Sequence, residues 1–259
     1  MKKLFIVLGF IFITVLQVQA ATVSGGVSKI DMNNSNRVVD ANTHAPVGNA
    51  KVSLPKYNYS TYTDDYGTFD IGKINGTTIM SVEKEGYRPF SLTVNDKMAA
   101  RPMVLGIQKS NISDLVIESN MFHLGDDNFS EHSSGASSFK LRSSGPFYSK
   151  TFMMKPESLS ARNYFVIGSI IGIDTLMARS MGQNKIVNSY ASPPEIYFNG
   201  SKIAEIQLNG DNQKIKIPNN LIRANQPNEV TIKAGRNLMQ TAYIDYDDIE
   251  IANLSILTD

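Results

Sequence analysis

The chain has no cysteine, no tryptophan and only three histidines among its 259 residues. Without cysteine there is no disulfide framework, no thiolate metal site, no thiol nucleophile and no lipid-anchored cysteine, so stability must come from buried cores. Without tryptophan, the side chain best suited to stack on a sugar ring is missing, and tyrosine must take that part. Long apolar runs are also missing. The longest, Leu4 to Leu16, is about 13 residues against the roughly 20 that span a bilayer as a helix. A second, Tyr164 to Ala178, carries Asp174 and two glycines and is expected to be a buried strand, a turn and another strand. No Gly-x-Ser-x-Gly, His-Glu-x-x-His or glycine-rich phosphate loop occurs. A glycosidase carboxylate pair leaves no trace in sequence, and nothing else points to catalysis, so the protein is expected not to be an enzyme.

What the N-terminus does have is an export signal. In "MKKLFIVLGFIFITVLQVQA", Lys2 and Lys3 precede the apolar run, and Val18 and Ala20 place small residues where a signal peptidase cuts. Residues 1–20 are therefore expected to be removed, giving a secreted or periplasmic protein, bacterial in character, with no membrane insertion after cleavage. Losing two of 25 basic side chains leaves 23 against 24 acidic ones. A chain so close to neutral has no general attraction for nucleic acid.

Sustained helical periodicity is scarce beyond the signal. In its place stand short alternating runs such as "AKVSL", "TIMSVE", "FSLTV", "PEIYF", "QKIKI", "NEVTIKAG" and "IEIANLSIL", bounded by Gly, Asn, Asp or Pro. Many short strands predict an all-β protein of two β-sandwich domains in tandem after the signal peptide. Pro102 and the polar stretch Lys109 to Ser113 place a boundary near residue 110, giving domains over 27–108 and 112–259.

The acidic stretch "YTDDYGTFDIG" (62–72) tests as a turn. With Gly67 at position 6 of an EF-hand-type loop, Tyr62, Asp64 and Tyr66 fall at positions 1, 3 and 5 and Lys73 at 12, leaving one ligand. Asp and Gly instead suit a tight reversal, with Phe69 and Ile71 facing a core. Asp40, then Pro46, Ala50 and Val52, then Thr63, Asp64, Gly67 and Phe69, then Gly86 and Tyr87 together resemble the carboxypeptidase regulatory-like domain, a small transthyretin-like sandwich. The likeness covers about 36–96 and departs from the pattern at Asn36, where a glycine commonly stands. It implies an accessory module rather than a peptidase.

Asn199 and Gly200, then Pro218 and Leu221, then Asn228, Val230 and Ile232, and the acidic pair Asp247 and Asp248 before the last strand are similar to galactose-binding-like jelly rolls. That resemblance implies carbohydrate binding on end loops or a sheet face, and a structural calcium ion. Asp126, Asp127 and Glu131 in "HLGDDNFSEHSS" and the pair Asp247 and Asp248 are the acids that can supply oxygen ligands; the other reading of both groups is solvated turn residues. His123 and His132 flank the first group, but their spacing matches no zinc site and the stretch reads as a flexible loop. Tyr148, Tyr190, Tyr197, Tyr243 and Tyr246 are the candidate sugar-stacking rings, each also readable as an ordinary strand or edge tyrosine. The expected partner is a carbohydrate or a surface protein.

Overall fold

The computed structural model describes residues 35–130, 132–135, 139–184 and 189–258. The expected signal peptide, the start of the first expected domain (27–34) and Glu131 lie outside them. The chain is mostly β, with a few short helices, and the described residues belong to one unit that begins at Met32.

Seven strands come from the first part: β1 (Asn36–Asp40), β2 (Lys51–Leu54), β3 (Tyr59–Tyr62), β4 (Thr68–Phe69), β5 (Thr78–Glu83), β6 (Phe90–Val94) and β7 (Val104–Ile107). They form two sheets, ordered β4-β1-β7 and β3-β2-β5-β6, antiparallel except for the parallel pair β1 and β7. Alternation does the work expected of it. Val52 and Leu54 on β2 and Leu105 and Ile107 on β7 are buried, and they join Val38, Phe69, Met80 and Val94 in one apolar cluster.

The 62–72 stretch is a turn. Oδ1 of Asp64 accepts the backbone N–H groups of Tyr66 and Thr68 at 2.9 and 2.8 Å. Gly67 has φ +73°, and a Cβ there would lie 2.4 Å from the Val38 carbonyl oxygen, so no larger residue fits. Thr63 is buried and donates to the Val47 carbonyl while accepting the Ala50 N–H. Asp40 holds the preceding turn through the N–H groups of Asn42 and Thr43 and accepts the Tyr87 hydroxyl at 3.2 Å. These side chains are occupied in holding backbone.

Nine more strands follow: β8 (Leu115–Glu118), β9 (Phe122–Leu124), β10 (Phe147–Met153), β11 (Asn163–Ile171), β12 (Glu195–Phe198), β13 (Ser201–Glu205), β14 (Gly210–Ile217), β15 (Pro227–Lys233) and β16 (Ile249–Thr258). One sheet runs β10-β15-β12-β13; the other runs β14-β11-β16-β8, with β9 also on β16. Ile196, Phe198, Val230 and Ile232 from the first sheet meet Phe165, Ile167, Ile251, Leu254 and Ile256 from the second in the larger apolar cluster.

All ten residues of β16 are buried, as are seven of the nine in β11. Their other face is covered: β6 lies on β11 and β14, β5 touches β11 and β16, and Ile79, Met121, Ile171 and Ala252 make a third small cluster there. A strand covered on both faces loses its alternation and reads as a continuous apolar run, which accounts for Tyr164 to Ile173. The strand expected after it is instead the short helix α1 (Leu176–Ser180). Thr175 caps it by accepting the Ala178 N–H at 3.0 Å, and Leu, Met, Ala and Arg are good helix formers. Among the described residues, no helix is long and apolar enough to cross a membrane.

Candidate metal centre

Strand β9 pairs antiparallel with β16, setting Leu124 against Ile249, His123 against Glu250 and Phe122 against Ile251. Leu124, Ile249 and Ile251 point into the larger core, so the period of two sends His123 and Glu250 to the opposite face, where both are buried. "HLGDDNFSEHSS" is therefore not loop throughout. Its first residues are a strand, and His123 is fixed by that strand.

The chain then turns at Gly125, which has φ +146°. A Cβ at this position would lie 2.1 Å from Oδ1 of Asp248, so glycine is what lets the Asp248 carboxylate lie across the turn. That oxygen sits 2.8 Å from Nε2 of His123 and accepts the backbone N–H of Asp127 at 3.0 Å. On the far side of the ring, Nδ1 is 2.7 Å from the Leu141 carbonyl oxygen and 3.5 Å from Oδ1 of Asp127. The Asp127 carboxylate also accepts the Ser143 N–H. One ligand atom from each of His123, Asp127 and Asp248 lies within 4.8 Å of the others, and the three form a group that can hold a metal ion.

A carbonyl oxygen only accepts, so Nδ1 carries its proton and Nε2 is left either to coordinate or, when protonated, to pair with Asp248. Metal-bound histidines are commonly oriented in this way through the other ring nitrogen. Burial opposes charge on the imidazole, but Asp248, the Leu141 carbonyl and Asp127 together outweigh it and raise the His123 pKa. Asp248 is fully buried and its Oδ2 has no hydrogen-bond partner among the described residues. Phe139 meets the imidazole edge-on with ring centroids 5.1 Å apart; His123 and Asp248 are buried, while Asp127 is exposed and leaves that side of the group open to solvent.

The acids picked from sequence divide between several tasks. Asp127 and Asp248 come together, with His123, which sequence reasoning had set aside. Asp126 is a staple: its two oxygens accept the N–H groups of Asn128 and Tyr246. Burial raises its pKa, those two bonds oppose the rise, and the charges of Asp248 and Asp245 add to it. Asp247 is buried and turned away, with Oδ2 accepting the Asp174 N–H at 3.0 Å. Neither Asp247 nor Asp248 is a solvated turn residue. Asp245, which the sequence did not single out, is saturated by Asn128, Ser133, Ser134 and Asn237.

The five tyrosines do not share one surface. Tyr148 is stacked on Phe122 at 4.4 Å and packs on the larger core. Tyr197 faces outward from β12, under the Lys233 ammonium and bonded to Glu195. Tyr190 lies next to Arg179, and its carbonyl accepts the Leu238 N–H. Only Tyr243 and Tyr246 adjoin the metal group: Asn128 reaches the Tyr243 hydroxyl at 3.5 Å, and Tyr246 is held by Asp126 and packs edge-on against Phe147. No protein-family model matches the chain, and no curated protein is similar to it in sequence.

Proposed function

We propose that this is an exported, non-catalytic binding protein of two β-sandwiches. The first is a carboxypeptidase regulatory-like spacer. The second is a galactose-binding-like jelly roll that takes carbohydrate on an aromatic loop surface, shaped by a bound metal ion. One observation carries the reading. The loop supplying Asp127 and the segment supplying Asp248 also hold Tyr243 and Tyr246, through Asn128 and Asp126, so occupancy of the metal group and the posture of the rings are linked. An imidazole nitrogen with two carboxylates suits zinc or another first-row divalent ion better than calcium, whose ligands are oxygens.

The test is a polysaccharide and glycan panel probed with residues 21–259, with zinc, with calcium and with chelator. Zinc-dependent binding lost in Tyr243→Ala supports the reading; binding to no glycan under any condition overturns it. The second reading is a surface-adhesion component that contacts protein. It is favoured by Leu238, Met239 and Ile244, which are 53%, 59% and 60% exposed beside the same tyrosines.

A further inference from the structure

Asparagine followed by glycine is open to self-modification, because glycine has no Cβ to hinder its own backbone nitrogen and its backbone turns freely. The chain has three such pairs, Asn75–Gly76, Asn199–Gly200 and Asn209–Gly210. They are alike in sequence and unlike in structure. Two of the side chains are locked. Nδ2 of Asn199 donates to the Leu221 carbonyl at 2.7 Å and to Oδ1 of Asn228 at 2.9 Å, and its Oδ1 accepts the Glu229 N–H at 2.8 Å. Oδ1 of Asn209 accepts the Ile173 N–H at 2.7 Å, while its Nδ2 donates to the Ile173 carbonyl at 3.3 Å and to Gln183 at 3.4 Å. Neither amide can turn towards the following glycine without giving up these bonds.

Asn75 is free to turn. It lies with Gly76 and Thr77 in an exposed stretch just before β5, and its side chain makes no hydrogen bond among the described residues. The Gly76 N–H makes none either. Gly76 has φ +72°, and a Cβ there would meet nothing within 4 Å, so the surroundings leave the pair room to move. Only the Asn75 backbone is held. Its carbonyl oxygen accepts the Tyr57 hydroxyl at 2.7 Å, and its N–H donates to the Tyr57 hydroxyl oxygen at 2.8 Å.

We infer that Asn75 is a self-modification site, which loses its side-chain amide in the folded protein while Asn199 and Asn209 keep theirs. The Gly76 nitrogen gives up its proton and bonds to Cγ of Asn75; Nδ2 takes up a proton and leaves as ammonia, closing a cyclic succinimide. Water then opens the ring. Attack at Cγ gives aspartate. Attack at the backbone carbonyl carbon gives isoaspartate, in which the chain runs through Cγ and the former backbone carbonyl becomes a free carboxylate. That carbonyl is the acceptor of the Tyr57 hydroxyl, so isoaspartate keeps a charged acceptor there, and charge-assisted hydrogen bonds are the stronger ones. Either product adds a negative charge to the segment on which the Lys56 ammonium, bonded to the Thr77 carbonyl at 2.9 Å, already rests.

Peptide mapping by mass spectrometry, with enzymatic labelling of isoaspartate, tests the assignment on residues 21–259 held at pH 8 and sampled over weeks. Amide loss at Asn75 is expected to be at least about tenfold faster than at Asn199 or Asn209, since each of those amides must first release hydrogen bonds. In urea the locks are gone, and the three sites are expected to react at similar rates. Asn75→Gln, whose extra methylene disfavours ring closure, is expected to leave the folded protein without isoaspartate. Persistence of the Asn75 amide over the time in which the urea-unfolded chain loses it overturns the inference, as do equal rates at all three sites in the folded protein. Isoaspartate that forms undiminished in Asn75→Gln places the reaction elsewhere and overturns it too. Neither metal nor glycan enters the incubation, so it reads the same whether or not the protein binds either.

Discussion

Oδ1 of Asp248 lies 2.8 Å from Nε2 of His123 while accepting the backbone N–H of Asp127 at 3.0 Å, so one buried oxygen ties the start of β16 to β9 and to the turn after it. Removing it leaves a buried imidazole and an amide without their partner, a change that costs about 3–5 kcal/mol for a buried pair. Asp248→Ala is expected to lower Tm accordingly and to abolish zinc uptake at this group. Gly125→Ala makes the sharper comparison. It deletes no ligand, but its methyl group takes the place of the Asp248 carboxylate. Zinc titration of Gly125→Ala is expected to resemble that of Asp248→Ala; tight zinc binding by the glycine variant would show that the carboxylate does not need to lie across the turn.

Buried groups set much of the pH response of metal-free protein, and four of them, Glu250, Asp174, Asp247 and His123, act in one direction. Burial pushes Glu250 up to about 7, against the opposing charges of His123 and Lys56, and it pushes Asp174 up to about 7. His123 is raised as well. For each, the folded state holds its proton to higher pH than the unfolded chain does. The folded state therefore binds the extra protons, and stability falls as pH rises from the unfolded carboxylate pKa of about 4 towards 7 and beyond. In chelator, Tm is expected to be higher at pH 5 than at pH 8. Glu250→Gln should remove part of that slope, worth about 2–3 kcal/mol at pH 8. Equal slopes in the two proteins would mean that Glu250 titrates normally.

Much of the strand content was legible because half-buried strands write their burial as alternation, as in Glu195–Phe198 and Pro227–Lys233. The acidic turn was legible because Asp64 and Gly67 each meet a local backbone demand. The metal group was legible only in part. Asp127 and Asp248 stand out as acids, but His123 looked like a loop residue because three strand residues between Met121 and Gly125 are too few to show a period. Its depth comes from pairing with β16, a contact between distant parts of the chain. Asp174 hid at the end of an apolar run for the same reason: the second covered face of β11 erased the alternation that would have marked where the strand stops. Nothing in the sequence tells which of two adjacent aspartates, Asp247 or Asp248, faces which partner.

Asp211 fixes the contact between β6 and the β14–β11 pair. Its Oδ1 accepts the Thr93 N–H at 3.0 Å, the Thr93 hydroxyl at 2.8 Å and the Ser169 hydroxyl at 2.6 Å. Asp211→Ala leaves three donors without this acceptor, a loss of about 1–3 kcal/mol. Because the bonds are confined to this seam, the effect should be local. Hydrogen exchange is expected to speed up at β6 and at the facing part of β11, and to stay unchanged in β12 and β15. A uniform loss of protection across both sets of strands would show that the seam opens only when the whole chain unfolds.

The sugar-binding reading is tested most cleanly by substitutions that leave the folded state intact. Tyr243 is 51% exposed, and its hydroxyl meets Asn128 at the long distance of 3.5 Å, so Tyr243→Ala should change Tm by less than about 0.5 kcal/mol equivalent. Tyr197→Ala is the matched control. It also removes an aromatic ring, but from the outward face of β12, on which Lys233 and Glu195 are its neighbours. If the loops around Asp127 and Asp248 present the binding surface, glycan affinity should fall by at least about tenfold, or about 1.4 kcal/mol, in Tyr243→Ala and remain at the wild-type value in Tyr197→Ala. The reverse pattern would move the binding surface to the sheet face and separate it from the metal group. Loss in both variants would mean that the two rings lie on one extended ligand path, and a longer oligosaccharide should then bind more tightly than a shorter one.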